Sequence, residues 1–421
     1  MQYLPRYIEK EIQNALKTSG TVVVAGPKFC GKTTTCERFA ESQFSLDTKQ
    51  KIALAEASPE AVLFGATPRL IDEWQMVPDL WNVARREIDH RDTKFGQFLF
   101  TGSSTPANKE DIYHSGAGRI VTVEMRTMSL FETGESKGLV SLAGLFAGSV
   151  SGLPIINDSH DLRDIAFYIC RGGWPLSLVP DRQLALRITK NYCSTLFSFE
   201  NSKNGRFRNK KPAIFEMMLR TYARNISTEA RKGVLINDVN AHEDLRICEE
   251  TFDDYHEALR DLFIIKDIEA WNPNFRSKTA IISTPTRHFV DTSLAAFALR
   301  ISPEDLLRDP NTFGLFFEDF AVKELAIYAG CMGGEVRHYR DGNGLECDAV
   351  IHLENGQYGL VEIKLGGESL IEEGIRKLKA LSAKIAEAGK RPPAFKMVLT
   401  ATGNAYSKDG TIILPINLLK A

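Results

Sequence analysis

Gly26-Pro-Lys-Phe-Cys-Gly31-Lys32-Thr33 fits the spacing G-x-x-x-x-G-K-[ST] without a mismatch. Gly26 and Gly31 allow a backbone bend that points successive N–H groups at one anion, and Pro27, Lys28, Phe29 and Cys30 form the wall between them. Lys32 can reach the outer phosphates of a nucleoside triphosphate, and the Thr33 hydroxyl can ligate magnesium. A helix opening at Lys32, Thr33 and Thr34 adds the positive end of its dipole. ATP with Mg2+ is the ligand pair this chemistry implies, an ordinary glycine turn being the alternative. About 40 residues on, a short apolar stretch ends in Asp72-Glu73. Asp72 can hold the magnesium through water and Glu73 can deprotonate an attacking water; the alternative is a solvated strand end. Phe95-Gly-Gln-Phe-Leu-Phe-Thr-Gly-Ser-Ser104 offers Ser103 or Thr101 to a γ-phosphate or to that water, or as a helix N-cap. Arg119, in Gly116-Ala-Gly-Arg119, is a candidate charge-stabilising finger within its own chain or across a subunit interface, or a surface ion pair. Cys30, near a helix N-terminus, is a thiol that nucleotide can shield from alkylation, or a small residue at a variable position.

A second constellation lies far downstream. Asp348 is followed fourteen residues on by Glu362-x-Lys364. Two positions apart on a strand, Glu362 and Lys364 share a face. Two carboxylates there can hold magnesium beside a lysine that positions water, the D…[DE]-x-K arrangement of a nuclease core, with Glu318 as a further ligand from a helix. An ordinary aspartate beside a surface Glu–Lys pair is the alternative.

The elements that must position these groups follow from patterning. Thr21–Val24 predicts a buried strand entering the loop, with a helix over 34–42 after it. Residues 145–205 alternate apolar and charged positions at helical spacing. Asn201–Lys211 is a basic, turn-rich stretch with five Lys or Arg in eleven residues, a boundary loop or a phosphate patch. Helices over 213–226, 234–240 and 248–262, then strands over 263–270 and 278–283, give the order of a winged helix. The third helix carries Glu249, Glu250, Asp253, Asp254 and Glu257, which would repel DNA phosphates and favour protein contact. The predicted class is α/β, in four segments. These are a P-loop ATPase domain with a parallel sheet (1–140), a helical connector (141–210), a winged-helix-like domain (211–300) and an endonuclease-like α/β domain (301–421).

Composition bounds the rest. In 421 residues, 43 % are hydrophobic and 25 % charged, with a net charge of −2, so DNA binding would need a local basic patch. No apolar run approaches a membrane span, and the first ten residues lack a signal-peptide core. Seven scattered cysteines without a C-x-x-C pair argue against a zinc knuckle or disulfide framework, and the expectation is a cytoplasmic protein.

Gly-Pro-Lys-x-x-Gly-Lys-Thr, Leu70-Ile-Asp-Glu-Trp-Gln-Met-Val-Pro78, Phe-Thr-Gly-Ser-Ser and Ala-Gly-Arg together resemble the AAA-type ATPase domain that precedes a DUF4143 domain in prokaryotic ATP-binding proteins. Arg171-Gly-Gly-Trp-Pro175 and Pro285-Thr-Arg-His-Phe-Val-Asp-Thr-Ser-Leu-Ala-Ala296 are similar to further signatures of that family, so the resemblance spans essentially the whole chain. It implies an ASCE-type P-loop core, a restriction-endonuclease-like C-terminal fold, and the roles named above for Lys32, Thr33, Asp72, Glu73, Ser103 and Arg119. Trp74 stands where the family usually has isoleucine, Lys28-Phe-Cys30 where it often has Arg-Gln-Val, and Cys347 where a proline commonly precedes the aspartate. The implied function is ATP hydrolysis that gates C-terminal domains able to bind DNA or protein, with cleavage of DNA or an inactive nuclease-like tail as alternatives. A homo-oligomer is compatible with this.

Overall fold

The computed structural model describes residues 3–103, 115–148, 155–157, 160–199, 210–241, 246–273 and 284–421. Helix α1 (Ile8–Leu16) leads to β1 (Thr21–Ala25), and α2 (Lys32–Cys36) follows the glycine loop. In β1, Val22 and Val24 pack with Ile12, Cys36 and Leu70, while Val23 packs with Ile71, Phe98 and Phe100 on the other side. A strand covered on both faces needs apolar residues at every position, which is why Thr21–Val24 does not alternate. The helix expected over 34–42 is shorter. It ends at Cys36, and Ser42 onward is drawn into β2 (Ser42–Ser45) by pairing with Arg69–Asp72.

The unit continues through α3 (Lys49–Ala57), α4 (Pro59–Val62), β3 (Arg69–Asp72), α5 (Asp79–His90), β4 (Phe98–Gly102) and β5 (Ile120–Glu124). Among the described residues its strands are all parallel, in the order β2-β3-β4-β1-β5. Strand β4 thus stands between the loop strand and the acidic strand. Ala25 pairs with Gly102, and Asp72 with Thr101, so the ends that carry chemistry lie side by side at the carboxyl edge.

Two short strands, β6 (Val140–Ser141) and β7 (Ile156–Asn157), flank α6 (Leu142–Phe146). The stretch expected to be a helical connector is therefore stitched into the end of the chain. Strand β6 pairs with β14 (Leu419–Lys420), and β7 extends the C-terminal sheet. Among the described residues there, α7 (Leu162–Arg171) and α8 (Arg182–Phe199) are the long helices. Then come α9 (Pro212–Arg224), α10 (Lys232–Asn240) and α11 (Glu249–Asp261), close to the expected spans, and later α12 (Thr292–Leu299) and α13 (Pro303–Arg308). Residues 263–270 do not form a continuous strand: they make single antiparallel bridges, Ile265 with Phe289 and Ile268 with Thr286. The partner strand expected at 278–283 and most of the basic stretch, 201–209, lie outside the described residues. The acidic ridge of α11 is partly neutralised by Lys232, whose Nζ lies 2.6 Å from Glu249 and 2.7 Å from Asp253.

The last segment holds α14 (Pro310–Gly330), β8 (Gly334–Arg340), β9 (Glu346–Leu353), β10 (Tyr358–Lys364), α15 (Glu368–Glu387), β11 (Phe395–Thr400), β12 (Asn404–Lys408) and β13 (Thr411–Pro415). Seven strands run in the order β7-β12-β13-β11-β10-β9-β8. The central pairs β10–β11 and β11–β13 are parallel, and β8–β9–β10 is antiparallel. Ala349, Ile351, Val361 and Ile363 share a core with Phe316, Phe317 and Phe320 of α14. Val350 and Leu360 face Ile375, Leu378 and Leu381 of α15. Helices on both faces explain why Ala349–Ile351 of β9 and Leu360–Val361 of β10 are apolar at successive positions. Among the described residues no helix is long and apolar enough to cross a membrane.

Candidate functional site

The loop after β1 is shaped by Gly31, which caps α2 at φ +99° and ψ +18°, a conformation that favours glycine. The buried Lys32 folds back so that its Nζ donates to the carbonyls of Gly26 and Pro27, at 2.9 and 2.8 Å. Thr33 Oγ1 donates to Asp72 Oδ1 at 2.9 Å, although 39 positions separate the two residues. Thr101 Oγ1 also donates to Asp72 Oδ1, and Ser45 Oγ lies 3.5 Å from Oδ2. This is a set of hard oxygen donors with one carboxylate, the kind that suits magnesium when phosphates complete the shell. Glu73 follows in a left-handed backbone conformation, and Ser103 Oγ donates to its Oε2 at 3.3 Å. Thr34 and Phe29 are exposed, and the Lys28 carbonyl points outward to Tyr192. Lys32, Thr33, Asp72, Glu73 and Ser103 are therefore brought together at one edge of the sheet.

Arg119 is not among them. It precedes β5, whose first residue pairs with Thr21, the first residue of β1, while the glycine loop follows the last. A five-residue strand, about 16 Å at 3.3 Å per residue, separates the two edges. The Arg119 guanidinium instead pairs with Asp89 at 2.9 Å, so a role at its own loop is corrected to a surface ion pair. Cys30 is 0 % exposed, with Sγ toward the Met125 carbonyl, so shielding by nucleotide is not needed to protect it. Sequence reasoning missed Arg6, which donates to the Cys30 carbonyl at 2.8 Å and to the Arg126 carbonyl at 2.8 Å. No local pattern marks an arginine 20 residues before the loop.

The downstream carboxylates also converge. Asp348 accepts from the Ile363 amide at 2.7 Å and from Lys364 Nζ at 3.3 Å. Glu362 is 0 % exposed, lies 3.0 Å from Lys364 Nζ, and makes no aligned hydrogen bond with either oxygen. Burial, and next the charge of Asp348, push its carboxyl up to about 8. Burial and Asp348 likewise hold Glu318 well above the usual carboxylate range. For Lys364, burial opposes the charge, but Asp348 and Glu362 outweigh it and hold the ammonium above its ordinary value. Lys377 of α15, not singled out from sequence, sits 3.9 Å from Glu362 and 2.9 Å from Glu346. Among the described residues no three of His, Cys, Asp and Glu are set closely enough to hold a metal ion as they stand.

Comparison with known families divides the chain in three. Residues 18–134 match the AAA domain family (AAA_14), 162–305 a domain of unknown function (DUF8612), and 313–419 a second domain of unknown function (DUF4143). The chain thus carries an AAA-type domain match toward its N-terminus and a DUF4143 match toward its C-terminus. Among solved structures it is similar to a single-substitution variant of Thermotoga maritima RuvB at 12 % identity and TM-score 0.26, over 62 % of this chain and 88 % of that one. The Aeropyrum pernix ORC1 protein in complex with DNA aligns at 10 % identity and TM-score 0.24, over 71 % and 93 %. A STAND protein with a tetratricopeptide repeat sensor from Pyrococcus horikoshii aligns at 12 % and 0.23, over 76 % and 48 %. No curated protein matches the chain.

The AAA domain is gripped by the two segments that follow it. Tyr192, within the DUF8612 match, donates to the Lys28 carbonyl at 3.0 Å, and its ring packs at a tilt against Trp174, the centroids 4.4 Å apart. Asp291 Oδ2 accepts from Thr127 Oγ1 of the AAA domain at 2.7 Å and from the Gly173 amide at 2.9 Å. Lys323 of the DUF4143 domain approaches the same carboxylate at 3.8 Å. Its neighbour Glu324 accepts from the Leu130 amide at 2.8 Å. One buried polar cluster thus joins all three matched segments.

Proposed function

We propose that this protein binds and hydrolyses ATP with magnesium at the edge formed by Lys32, Thr33, Asp72 and Glu73, and that nucleotide state gates its C-terminal half. The single observation that carries the reading is the 2.9 Å contact of Thr33 with Asp72 beside Glu73, at the mouth of the glycine loop. An AAA-type P-loop domain supports ATP as the nucleotide. Lys32 exchanges the two loop carbonyls for phosphate oxygens when a triphosphate enters. Thr33 and Asp72 would hold the magnesium, which when bound neutralises charge on the outer phosphates. Glu73 takes a proton from water as the water oxygen bonds to the γ-phosphorus. The bond from that phosphorus to the bridging oxygen breaks, and ADP leaves with the electron pair and phosphate as the other product. Ser103 holds Glu73 in place.

The division proposed is a P-loop ATPase domain (1–140), a connector (141–210), a winged-helix-like domain (211–300) and an endonuclease-like domain (301–421). The acidic face of α11 favours a protein contact in the third. In equilibrium binding, Lys32→Ala should abolish ATP affinity, whereas Glu73→Gln should keep it and lose turnover. Normal turnover by Glu73→Gln would remove Glu73 as the base.

A second activity is favoured by the buried Glu362, whose oxygens have Lys364 as a counter-charge but no aligned hydrogen bond. Glu318, Asp348 and Glu362 would hold magnesium once a cation offsets their mutual repulsion, with Lys364 facing the scissile phosphate of DNA. A plasmid-nicking assay with magnesium tests this. Nicking by the wild type that disappears in Asp348→Ala and Lys364→Ala supports cleavage, and no nicking by the wild type leaves a binding module with an inactive tail.

A further inference from the structure

We propose that Gln75 is a positioning residue for the hydrolytic step, clamping the Glu73 carboxylate through its side-chain amide. The inference deepens the ATPase reading and rests on it. Glu73 adopts φ +59° and ψ +39°, a left-handed conformation that few glutamates take, and the 3-10 turn Trp74–Met76 then brings the chain back. As a result the Gln75 Nε2 donates to Glu73 Oε2, two residues away. Ser103 Oγ meets the same oxygen from β4. Two donors on one oxygen fix the rotamer of the carboxylate, and the proton taken from water goes to the other oxygen, Oε1. A carboxylate only accepts, so the face Gln75 presents to it must be the NH2 group.

The other end of the amide shows what the position requires. Gln75 Oε1 is buried and has no hydrogen-bond partner among the described residues. An unpaired buried acceptor costs about 1–3 kcal/mol. An apolar side chain of the same length would avoid that cost, so the amide N–H is the group the position uses. Space for it is provided by Gly102 of β4, where a Cβ would lie 2.7 Å from Gln75 Oε1 and 3.0 Å from Trp74 Nε1. The glycine at the end of β4 and the glutamine after the acidic pair are thus two halves of one arrangement. It holds the proposed base beside Thr101 and Ser103.

Steady-state ATP turnover and ATP binding by the full chain test the clamp. Gln75→Ala and Gln75→Met should each lower kcat about 10- to 100-fold, the scale expected when a reacting group is misplaced, with the Kd for ATP changed less than about twofold. Methionine fills the glutamine's space without a donor, so recovery of kcat in Gln75→Met would assign the residue to packing and overturn the proposal. A loss carried by Kd rather than kcat would overturn it too. On a Glu73→Gln background, Gln75→Ala should cost nothing further, because the group it positions is gone. Normal turnover by Glu73→Gln alone would fell the ATPase reading. Loss of turnover in Glu73→Gln together with wild-type kcat in both Gln75 variants would fell the clamp alone.

Discussion

Thr33 and Asp72 meet through a hydrogen bond that neutral partners can also make, so the charge of Asp72 is separable from its shape. Asp72→Asn keeps the size of the side chain and an acceptor for Thr33, but presents a weaker ligand to a divalent cation. The expected outcome is a rise of at least about tenfold in the magnesium concentration that half-saturates ATP turnover, read from a magnesium titration. An unchanged titration would place the cation elsewhere. The glycine loop and its acidic partners were legible because each is a contiguous pattern with local geometric meaning. The edge on which Arg119 stands was legible in principle, and of the readings open to it the structure shows the surface ion pair and no finger at its own loop. Arg119 stands before its strand, whereas Ser103 stands after its own, and in a parallel sheet that difference sends the two residues to opposite edges. Gln75 lay inside the motif, yet its role depends on the left-handed turn at Glu73, which no pattern of residue types shows.

At the scale of elements, α8 matters through one hydroxyl. Tyr192 holds the outer wall of the glycine loop by its bond to the Lys28 carbonyl, and Phe29 packs edge-on against the same ring at 5.5 Å. A neutral hydrogen bond contributes about 1 kcal/mol, so Tyr192→Phe should weaken ATP binding by about fivefold while the ring contacts persist. An unchanged Kd in a calorimetric titration would show that α8 does not support the loop. Helices α9 and α11 appeared in the sequence close to their observed bounds, because their apolar periodicity is local. Strands β6 and β7 did not. Each has two residues and exists only because a partner more than 240 positions away, Leu419 or Asn404, completes the pairing. The early end of α2 has the same cause, since Ser42 pairs with Arg69.

For the whole molecule, the Asp291 cluster decides how the segments act together. Asp291 is 1 % exposed and receives hydrogen bonds from Thr127, Gly173 and Ser293, with Lys323 near the same carboxylate. Removing one member of a buried charged group leaves the others uncompensated, at a cost of about 3–5 kcal/mol. Asp291→Ala should therefore lower the unfolding temperature and split it into separate transitions for the AAA and DUF4143 domains in scanning calorimetry. A single transition at the wild-type temperature would show that the cluster does not join them. The central claim concerns the AAA sheet itself, where Glu73 is the proposed base. Rapid-quench hydrolysis of γ-labelled ATP, with enzyme in excess over nucleotide and magnesium present, tests it most directly. The wild type should release labelled phosphate in one turnover, while Glu73→Gln should hold the ATP intact; equal release by both would contradict the account.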